Sequence, residues 1–417
     1  MSTKPHKASL LVIFLTVFID LLGFGMVLPL LPIYGKQFAQ ALGYGEKDWQ
    51  VGLLVGLLMS SFSAMQFLIA PLWGRLSDRI GRRPVLIVGL AGSVLFYAMF
   101  GVATVLESLT LLFVARIGAG IAGATISTAQ AYIADITTLE GRTKGMALIG
   151  AAFGIGFTFG PLFGALALGD DSETKLGPGP GYAAAAVSAV ALLIAIFKLK
   201  ESLNPDRRPE PRGWINFDSL RDALAIPSVG LLLLAAFVCI FAFAGFESTL
   251  SLLLKDEHGA FHFKLKEVLY VFAFIGLTLC LVQGGIVRRL SGKVSDVALA
   301  AAGASILILG LALLAATTAN SSLPLLLIGL SITVAGFSCF TPSINALVSR
   351  RSDPARQGAV LGVLQSFNSL ARILGPLAGP MLYQWSPRLP LGVGAGMMAI
   401  GLAVLLVAAP RGHDFAS

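Results

Sequence analysis

The chain has 417 residues, of which 56% are hydrophobic and only 12% are charged, and its formal net charge is +8. Soluble domains carry about 25% charged residues, so the composition excludes an ordinary soluble protein. Apolar runs of about 20 residues recur from end to end, and each is long enough to cross a bilayer as a helix. We therefore expect an all-α polytopic membrane protein, whose basic excess reflects membrane insertion rather than binding to nucleic acid.

Twelve apolar segments follow one another along the chain, and the longest interruption comes after the sixth. The segments are residues 9–34, 49–73, 84–106, 109–136, 143–168, 180–200, 227–254, 265–288, 296–318, 322–349, 355–384 and 388–410. The interruption, residues 201–226, is rich in proline and in charged residues. It predicts a cytoplasmic linker between an N-terminal six-helix bundle (1–200) and a C-terminal six-helix bundle (227–417).

The lysine and arginine residues are distributed unevenly between the two sides of these segments. Of the 30, 21 fall on the side of both termini and the linker, 7 fall on the opposite side, and Arg116 and Arg372 lie inside segments. Cytoplasmic loops of membrane proteins collect basic residues. The bias therefore predicts that both termini are cytoplasmic.

The fifth segments of the two halves share a short pattern. The first half has GPLFG at residues 160–164, and the second has GPLAG at residues 375–379, each following a loop that contains arginine. A duplicated six-helix unit explains this match, since internal repeats are common in transporters. Chance is the alternative, because glycine and proline are frequent in membrane helices.

The densest charge in the chain lies between the second and third segments, in PLWGRLSDRIGRRPVL (71–86). We expect Gly74 to let the second span end, Gly81 to permit a tight turn, and Asp78 to accept hydrogen bonds from a helix N-terminus and from nearby arginines. The stretch resembles the loop signature of the major facilitator superfamily. This resemblance implies a charged cytoplasmic latch, formed by Gly74, Asp78, Arg79, Gly81, Arg82 and Arg83. For Arg82 and Arg83, the alternative is that they only reflect the general excess of basic residues in cytoplasmic loops.

Two further stretches resemble the same family. LFVARIGAGIAGA (112–124) is similar to its span 4 signature, with Arg116 as the buried basic residue. GFTFGPLFG (156–164) is similar to the span 5 signature of its drug/proton antiporters. In that signature Gly156, Gly160, Pro161 and Gly164 allow close helix packing and a local kink.

The resemblance extends over essentially the whole chain. FIDLLGFGMVLPLLP (18–32) and AYIADIT (131–137) look like bacterial tetracycline/proton antiporters. FAGFESTLSLLL (243–254) and LARILGP (370–376) look more like the animal tetracycline-transporter-like proteins, which are relatives of organic-anion transporters. The resemblance implies an alternating-access transporter with a central cavity. The third and ninth segments lack the intramembrane acids of the tetracycline antiporters, which argues against tetracycline itself as the substrate.

Few ionisable residues lie deep inside the segments, where each costs about 2.5–3.5 kcal/mol on insertion scales. The acids are Asp20 in the first segment and Glu247 in the seventh. We predict that both carry the coupled proton, and that Glu247 neutralises an arginine of the eleventh segment when no substrate is bound. The predicted substrate contacts are Arg372, Gln66, Arg116, Phe246, Gln365 and Asn368. Structural ion pairs are the alternative explanation for each charge.

These observations predict a proton-coupled secondary transporter that exports amphipathic organic compounds, organic anions among them. An uptake symporter or facilitator for organic anions is the alternative, and a receptor or scaffold with the same fold is a third. The sequence contains no nucleophile–base pair of the kind that would indicate an enzyme. No cofactor or metal is expected either, since the histidines and cysteines form no ligand cluster in the sequence. The expected partners are a small organic substrate, protons and lipid. We expect a monomer in a bacterial inner membrane.

Overall fold

The computed structural model describes residues 7–45, 48–137, 139–169, 176–203, 221, 224, 226–255, 261–317, 322–353 and 357–412. Most of the predicted linker lies outside these ranges. The helices are α1 (Lys7–Val27), α2 (Leu31–Ala41), α3 (Trp49–Ile80), α4 (Arg82–Val105), α5 (Leu109–Gly123), α6 (Ile126–Ile136), α7 (Leu139–Ala167), α8 (Gly179–Lys198), α9 (Pro227–Lys255), α10 (Leu265–Leu281), α11 (Arg288–Leu290), α12 (Asp296–Thr317), α13 (Leu323–Arg350), α14 (Gln357–Trp385) and α15 (Leu389–Ala408).

The helices reproduce the predicted membrane segments. Among the described residues, eleven helical stretches are long and apolar enough to cross a membrane, and each coincides with a predicted segment. The remaining prediction, residues 355–384, coincides with α14, a helix of 29 residues whose polar side chains include Gln365, Asn368 and Arg372. The prediction of an all-helical polytopic membrane fold is confirmed.

Two predicted spans contain a non-α-helical turn, one beside proline residues and one at consecutive glycines. A 3₁₀ turn, Leu28–Leu30, separates α1 from α2, in a stretch that contains Pro29 and Pro32. Proline removes a helical amide donor and clashes with the preceding turn, so the helix cannot continue with regular geometry. A π-helical turn, Val282–Val287, joins α10 to α11 and contains two consecutive glycines.

The first compact unit comprises residues 1–39, 61–212 and 264–276. In it, α1 packs against α7 and α8, and α4 packs against α5 and α8. The contact of α1 with α7 depends on glycine. A β-carbon at Gly160 would lie 2.6 Å from the Cα of Gly25, and one at Gly25 would lie 2.7 Å from the carbonyl oxygen of Gly156. Small residues let two membrane helices approach this closely.

The second unit comprises residues 40–60, 213–263 and 277–417. In it, α9 packs against α14 and α15, and α12 packs against α13 and α15. These are the same pairings as in the first unit, span for span. A β-carbon at Gly379 would lie 2.6 Å from the carbonyl oxygen of Gly245, so glycines again bring the first and fifth spans of a unit together. The sequence-based division at residues 201–226 stays a prediction.

Candidate functional site

A charged cluster in the first unit ties the end of α3 to the start of α4 and the end of α6. Arg82 is only 5% exposed. Its Nη1 lies 2.5 Å from Oδ1 of Asp78 and donates a hydrogen bond of 2.6 Å to Oγ of Ser77. Its Nε donates to Oδ2 of Asp135 over 3.2 Å. One guanidinium thus pairs with two carboxylates, whose side chains are 34% and 28% exposed.

The N-terminus of α4 is capped by Glu201, a residue just beyond α8. The backbone amides of Arg82 and Arg83 donate to its Oε1 (2.8 Å) and Oε2 (3.1 Å). A carboxylate at this position satisfies amides that have no partner within the helix and interacts favourably with the helix dipole. The sequence analysis assigned this capping to Asp78, which was wrong. Gly81 has φ 105°, and a β-carbon there would collide with the Glu201 carboxylate.

The predicted loop is almost entirely helical, which corrects the role of Gly74. Helix α3 continues to Ile80, and a β-carbon at Gly74 would meet nothing within 4 Å. No helix-breaking residue occurs between these two positions, so the helix runs on until Gly81. Arg79 is exposed, and Arg83 donates from Nη2 to the carbonyl oxygen of Ile196 over 2.7 Å. A latch function for this motif stays a prediction.

A buried arginine packs beside two aromatic rings in the first unit. Arg116, on α5, is 2% exposed. Its guanidinium carbon lies 4.7 Å from the ring centroid of Phe62 and 5.7 Å from that of Phe24. Its Nε and Nη1 have no hydrogen-bond partner among the described residues. Cation–π contacts stabilise the charge in part, but two strong donors remain available to an acceptor.

Asp20 lies one helical turn from Phe24 on the same face of α1, since residues i and i+4 are neighbours on a helix. Its side chain is within hydrogen-bonding reach of Ser93 on α4, while its Oδ1 has no partner among the described residues. Tyr97, one turn beyond Ser93, interacts electrostatically with both Asp20 and Arg116. The structure therefore brings the predicted acid and arginine of the first unit into one polar region.

The other predicted residues of the first unit have packing contacts. Gln66 on α3 donates from Nε2 to the carbonyl oxygen of Gly123 over 3.1 Å, which ties α3 to α5. Gly164 approaches the backbone of Met26 on α1, where a β-carbon would lie 3.1 Å from its carbonyl oxygen. Pro161 lies inside α7 without ending the helix.

The second unit contains the other acid–arginine set. Glu247 on α9 and Arg372 on α14 interact electrostatically. The side chain of Glu247 is half-buried and that of Arg372 is exposed, so both reach accessible space within helices that span the membrane. Among the described residues no ion pair closer than 4 Å joins them. They are therefore close enough to interact electrostatically without forming a direct ion pair.

Phe246 and Asn368 are buried, whereas Gln365 is exposed. Phe246 packs edge-on against Phe243, with ring centroids 5.8 Å apart, and Phe243 stacks on Phe337 of α13 at 3.8 Å. Asn368 is 8% exposed, and its Oδ1 has no partner in the part of the chain that the structure describes.

The sequence and the fold were compared with known proteins. A sequence profile of the Major Facilitator Superfamily matches residues 13–317 and 290–416. The chain belongs to the major facilitator superfamily. It is 33% identical to Major facilitator superfamily domain-containing protein 10 of Bos taurus over 97% of this chain and 94% of that protein. It is 33% identical to the class C tetracycline resistance protein of Escherichia coli over 98% of this chain and 96% of that one.

A solved structure agrees with this membership. The crystal structure of the human organic anion transporter MFSD10 (TETRAN) superimposes with a TM-score of 0.71 at 28% identity, covering 97% of this chain and 100% of that chain. The predicted family resemblance is confirmed, and the protein is a transporter by family, not an enzyme. Its place in a membrane is confirmed too. The bacterial inner membrane and the cytoplasmic termini stay predictions.

The sequence analysis missed three side chains of the polar region in this major facilitator protein. Ser93 and Tyr97 lie on the third span, which was passed over because it has no acidic residue. Their spacing of four places them on one helix face. Phe24 was one of 27 phenylalanines, so composition gave no reason to select it. Only its position one turn after Asp20 could have done so.

In this superfamily member, the described residues contain no group of three or more His, Cys, Asp or Glu side chains able to hold a metal ion. Cys239 and Cys339 are buried, Cys280 is half-buried, and none of the three forms a disulfide. The candidate polar regions for ligand binding are the two acid–arginine sets.

Proposed function

We propose that this protein is a proton-coupled secondary transporter that exports amphipathic organic anions by alternating access. Two relatives support the two parts of the proposal. The human relative MFSD10 is an organic anion transporter, and the Escherichia coli relative is a tetracycline resistance protein. The chain matches both kinds of protein over nearly its full length.

The observation that carries the proposal is the state of Arg116. A guanidinium stays charged at every physiological pH, and burial without a matched acceptor is costly. Here two of its nitrogen donors are buried and unpartnered among the described residues, while two aromatic rings pack beside it. An anion with an apolar, preferably aromatic, body supplies the missing acceptor and also fits the rings. A compound of opposite charge would add a second cation to the same region.

The second unit supplies a route from substrate to proton. Glu247 and Arg372 interact electrostatically without a direct ion pair among the described residues. An anionic substrate that binds Arg372 takes over the neutralisation of this arginine. The glutamate then has no cation to offset its charge and takes up a proton. Asp20 plays the corresponding part in the first unit, beside Ser93 and Tyr97. Substrate and proton are thereby linked by charge balance alone.

The test is transport into proteoliposomes containing the purified full chain. Naphthalene-2-sulfonate serves as the anionic probe, because its charge does not change with pH, and naphthyltrimethylammonium of similar size serves as the cationic control. We expect the sulfonate to accumulate against its gradient when a pH gradient of the antiport sign is imposed, and the ammonium compound not to. Arg116→Gln should lower sulfonate transport by about 10- to 100-fold, in proportion to a lost charge-assisted hydrogen bond of about 1.5–3 kcal/mol.

The outcomes separate the alternatives. Accumulation driven by a gradient of the opposite sign identifies a symporter, and equilibration without dependence on pH identifies a facilitator. Equal transport of the anionic and cationic probes, or full activity of Arg116→Gln, contradicts the proposed anion site. Absence of any transport with intact binding leaves the receptor as the surviving explanation.

A further inference from the structure

The second unit has an open cavity of about 480 Å³ where the π-helical turn Val282–Val287, α11 and Ser291 face α13. It lies at the end of the eighth span that the basic-residue bias assigns to the cytoplasm. Its polar lining consists of one cation and four neutral side chains: Arg288, Gln283, Ser291, Thr341 and Asn345. No carboxylate is among the described residues that line it. Hydroxyl and amide groups donate hydrogen bonds to an anion, so this lining suits a negatively charged group.

Further basic residues lie near the cavity, so the charge around it is positive, like that of Arg288. Arg289 and Lys293 are exposed near Arg288 in the chain, and Arg350 ends α13. Asp296, at the start of α12, is paired with Arg350 over 3.3 Å. Excess positive charge around a concave surface raises the local concentration of anions.

The backbone beside the cavity is irregular. The π-helical turn Val282–Val287 contributes Gln283 and Val287 to the lining, and π-helical turns occur frequently at functional sites. A β-carbon at Gly284 or Gly285 would meet nothing within 4 Å. Val287 and Pro342 provide apolar surface next to the polar groups, as the body of an amphipathic ligand requires.

A second, small cavity continues from the first toward the interior of the unit. It shares Thr341 and Asn345 with the open cavity and reaches Asn368. Its volume of about 10 Å³ is close to that needed for a single water molecule. Asn368 is buried there with an unpartnered Oδ1, and one helical turn further along α14 is Arg372. Polar groups thus lead from the open cavity toward the acid–arginine set.

We propose that the cavity around Arg288 is an anion-binding site that captures the anionic head of the substrate before it reaches Arg372. This inference rests on the proposed function. The shared chemistry is a sulfonate, carboxylate or phosphate group attached to an apolar body. A soluble amphipathic anion and the headgroup of an anionic lipid both have this chemistry, and the experiment distinguishes them.

The experiment uses the full chain in nanodiscs of phosphatidylcholine, with its three native cysteines replaced by alanine and Ser291→Cys as the reporter. The reaction rates of this thiol with a negatively charged sulfonatoethyl and a positively charged trimethylammonioethyl thiosulfonate are compared. Arg288→Gln should lower the negative-to-positive rate ratio roughly three- to tenfold, as expected for a unit charge a few ångströms away in water. Arg289→Gln is the matched control, since Arg289 does not line the cavity, and should change the ratio less than twofold.

A ligand that occupies the cavity is identified by its ability to slow labelling of the reporter thiol. We expect naphthalene-2-sulfonate to slow the labelling of Cys at position 291, and Arg288→Gln to abolish this protection. Protection that instead appears only in nanodiscs containing phosphatidylglycerol assigns the same anion site to a lipid headgroup. Equal protection by naphthyltrimethylammonium, or protection that survives Arg288→Gln, overturns the proposal. If the first reporter fails to fold, Thr341→Cys replaces it and the same outcomes apply.

The transport measurement keeps this inference separate from the proposed function. With a functional anion transporter, Arg288→Gln should raise the KM for naphthalene-2-sulfonate supplied from that side and leave the maximal rate nearly unchanged. An unchanged KM with normal parent transport refutes the capture site alone. Absence of anion transport by the parent protein refutes the proposed function, while the labelling result still decides whether the anion site exists.

Discussion

Replacing Arg82 with glutamine removes the cation at the centre of the cluster in the first unit. The arginine contacts Asp78, Ser77 and Asp135 at distances between 2.5 and 3.2 Å. Glutamine is shorter, uncharged and unable to reach all three at once. The backbone amide at position 82 still donates to Glu201, so the cap of α4 survives. The variant therefore isolates the side-chain network.

The magnitude follows from the burial of the three groups. Removing one partner from a fully buried ion pair costs about 3–5 kcal/mol, because the other charge is left without compensation. Here the side chain of the arginine is 7% exposed, whereas those of Asp78 and Asp135 are 34% and 28% exposed, so water compensates the two carboxylates in part. We expect a loss of about 2 kcal/mol, or roughly 30-fold in the folding equilibrium constant.

The assay is reversible unfolding of the purified protein by SDS in mixed micelles, followed by tryptophan fluorescence. Arg83→Gln is the control. Its side chain donates one exposed hydrogen bond, to the backbone carbonyl of Ile196. Because water also solvates this guanidinium, its loss should cost only about 0.5–1.5 kcal/mol. The double variant Arg82→Gln/Asp135→Asn should be less destabilised than the sum of the two single variants, because no unpaired carboxylate remains at position 135. A cost for Arg82→Gln no larger than that for Arg83→Gln, or strict additivity in the double variant, refutes the reasoning.

Three further predictions address coupling, anion binding and packing. Asp20→Asn should abolish transport driven by a pH gradient while substrate-for-substrate exchange survives; full retention of driven transport removes this residue from the mechanism. Arg372→Ala should weaken binding of naphthalene-2-sulfonate more than Arg372→Lys does, as measured by fluorescence titration, and parental affinity in the alanine variant places the anion site elsewhere. Gly160→Leu should destabilise the first unit by about 1–3 kcal/mol, since its β-carbon would overlap Gly25. Gly150→Leu, on an open face of the same helix, should change stability by less than about 0.5 kcal/mol. Equal effects of the two leucine variants in SDS unfolding contradict the packing argument.

The membrane spans were predictable because the bilayer imposes a simple rule on the chain. Each crossing needs about 20 apolar residues, so the segments and their order can be read without knowledge of tertiary contacts. The repeated GPxxG pattern pointed to a relation between the halves, and the equal helix pairings of the two units agree with it. The deep charges Asp20, Glu247, Arg116 and Arg372 were identifiable for the same reason, since ionised groups are costly within the membrane.

The partners of those charges were decided by tertiary structure. Hydropathy gives the depth of a residue but not the direction its side chain takes from its helix. It therefore could not place Ser93 and Tyr97 beside Asp20, or Phe24 and Phe62 around Arg116.

The charged motif illustrates the same division. Its sequence showed that α3 and α4 would be joined by charge and glycine, but Glu201, distant in the chain, caps α4 in place of Asp78. A cap is a contact between backbone amides and whichever carboxylate the packing of α8 brings near them, and no local pattern specifies that. The sequence determined which residues are charged, apolar or small, and where the chain crosses the membrane. Only the packed helices decided which of those charges meet, because pairing depends on distances between segments far apart in the chain.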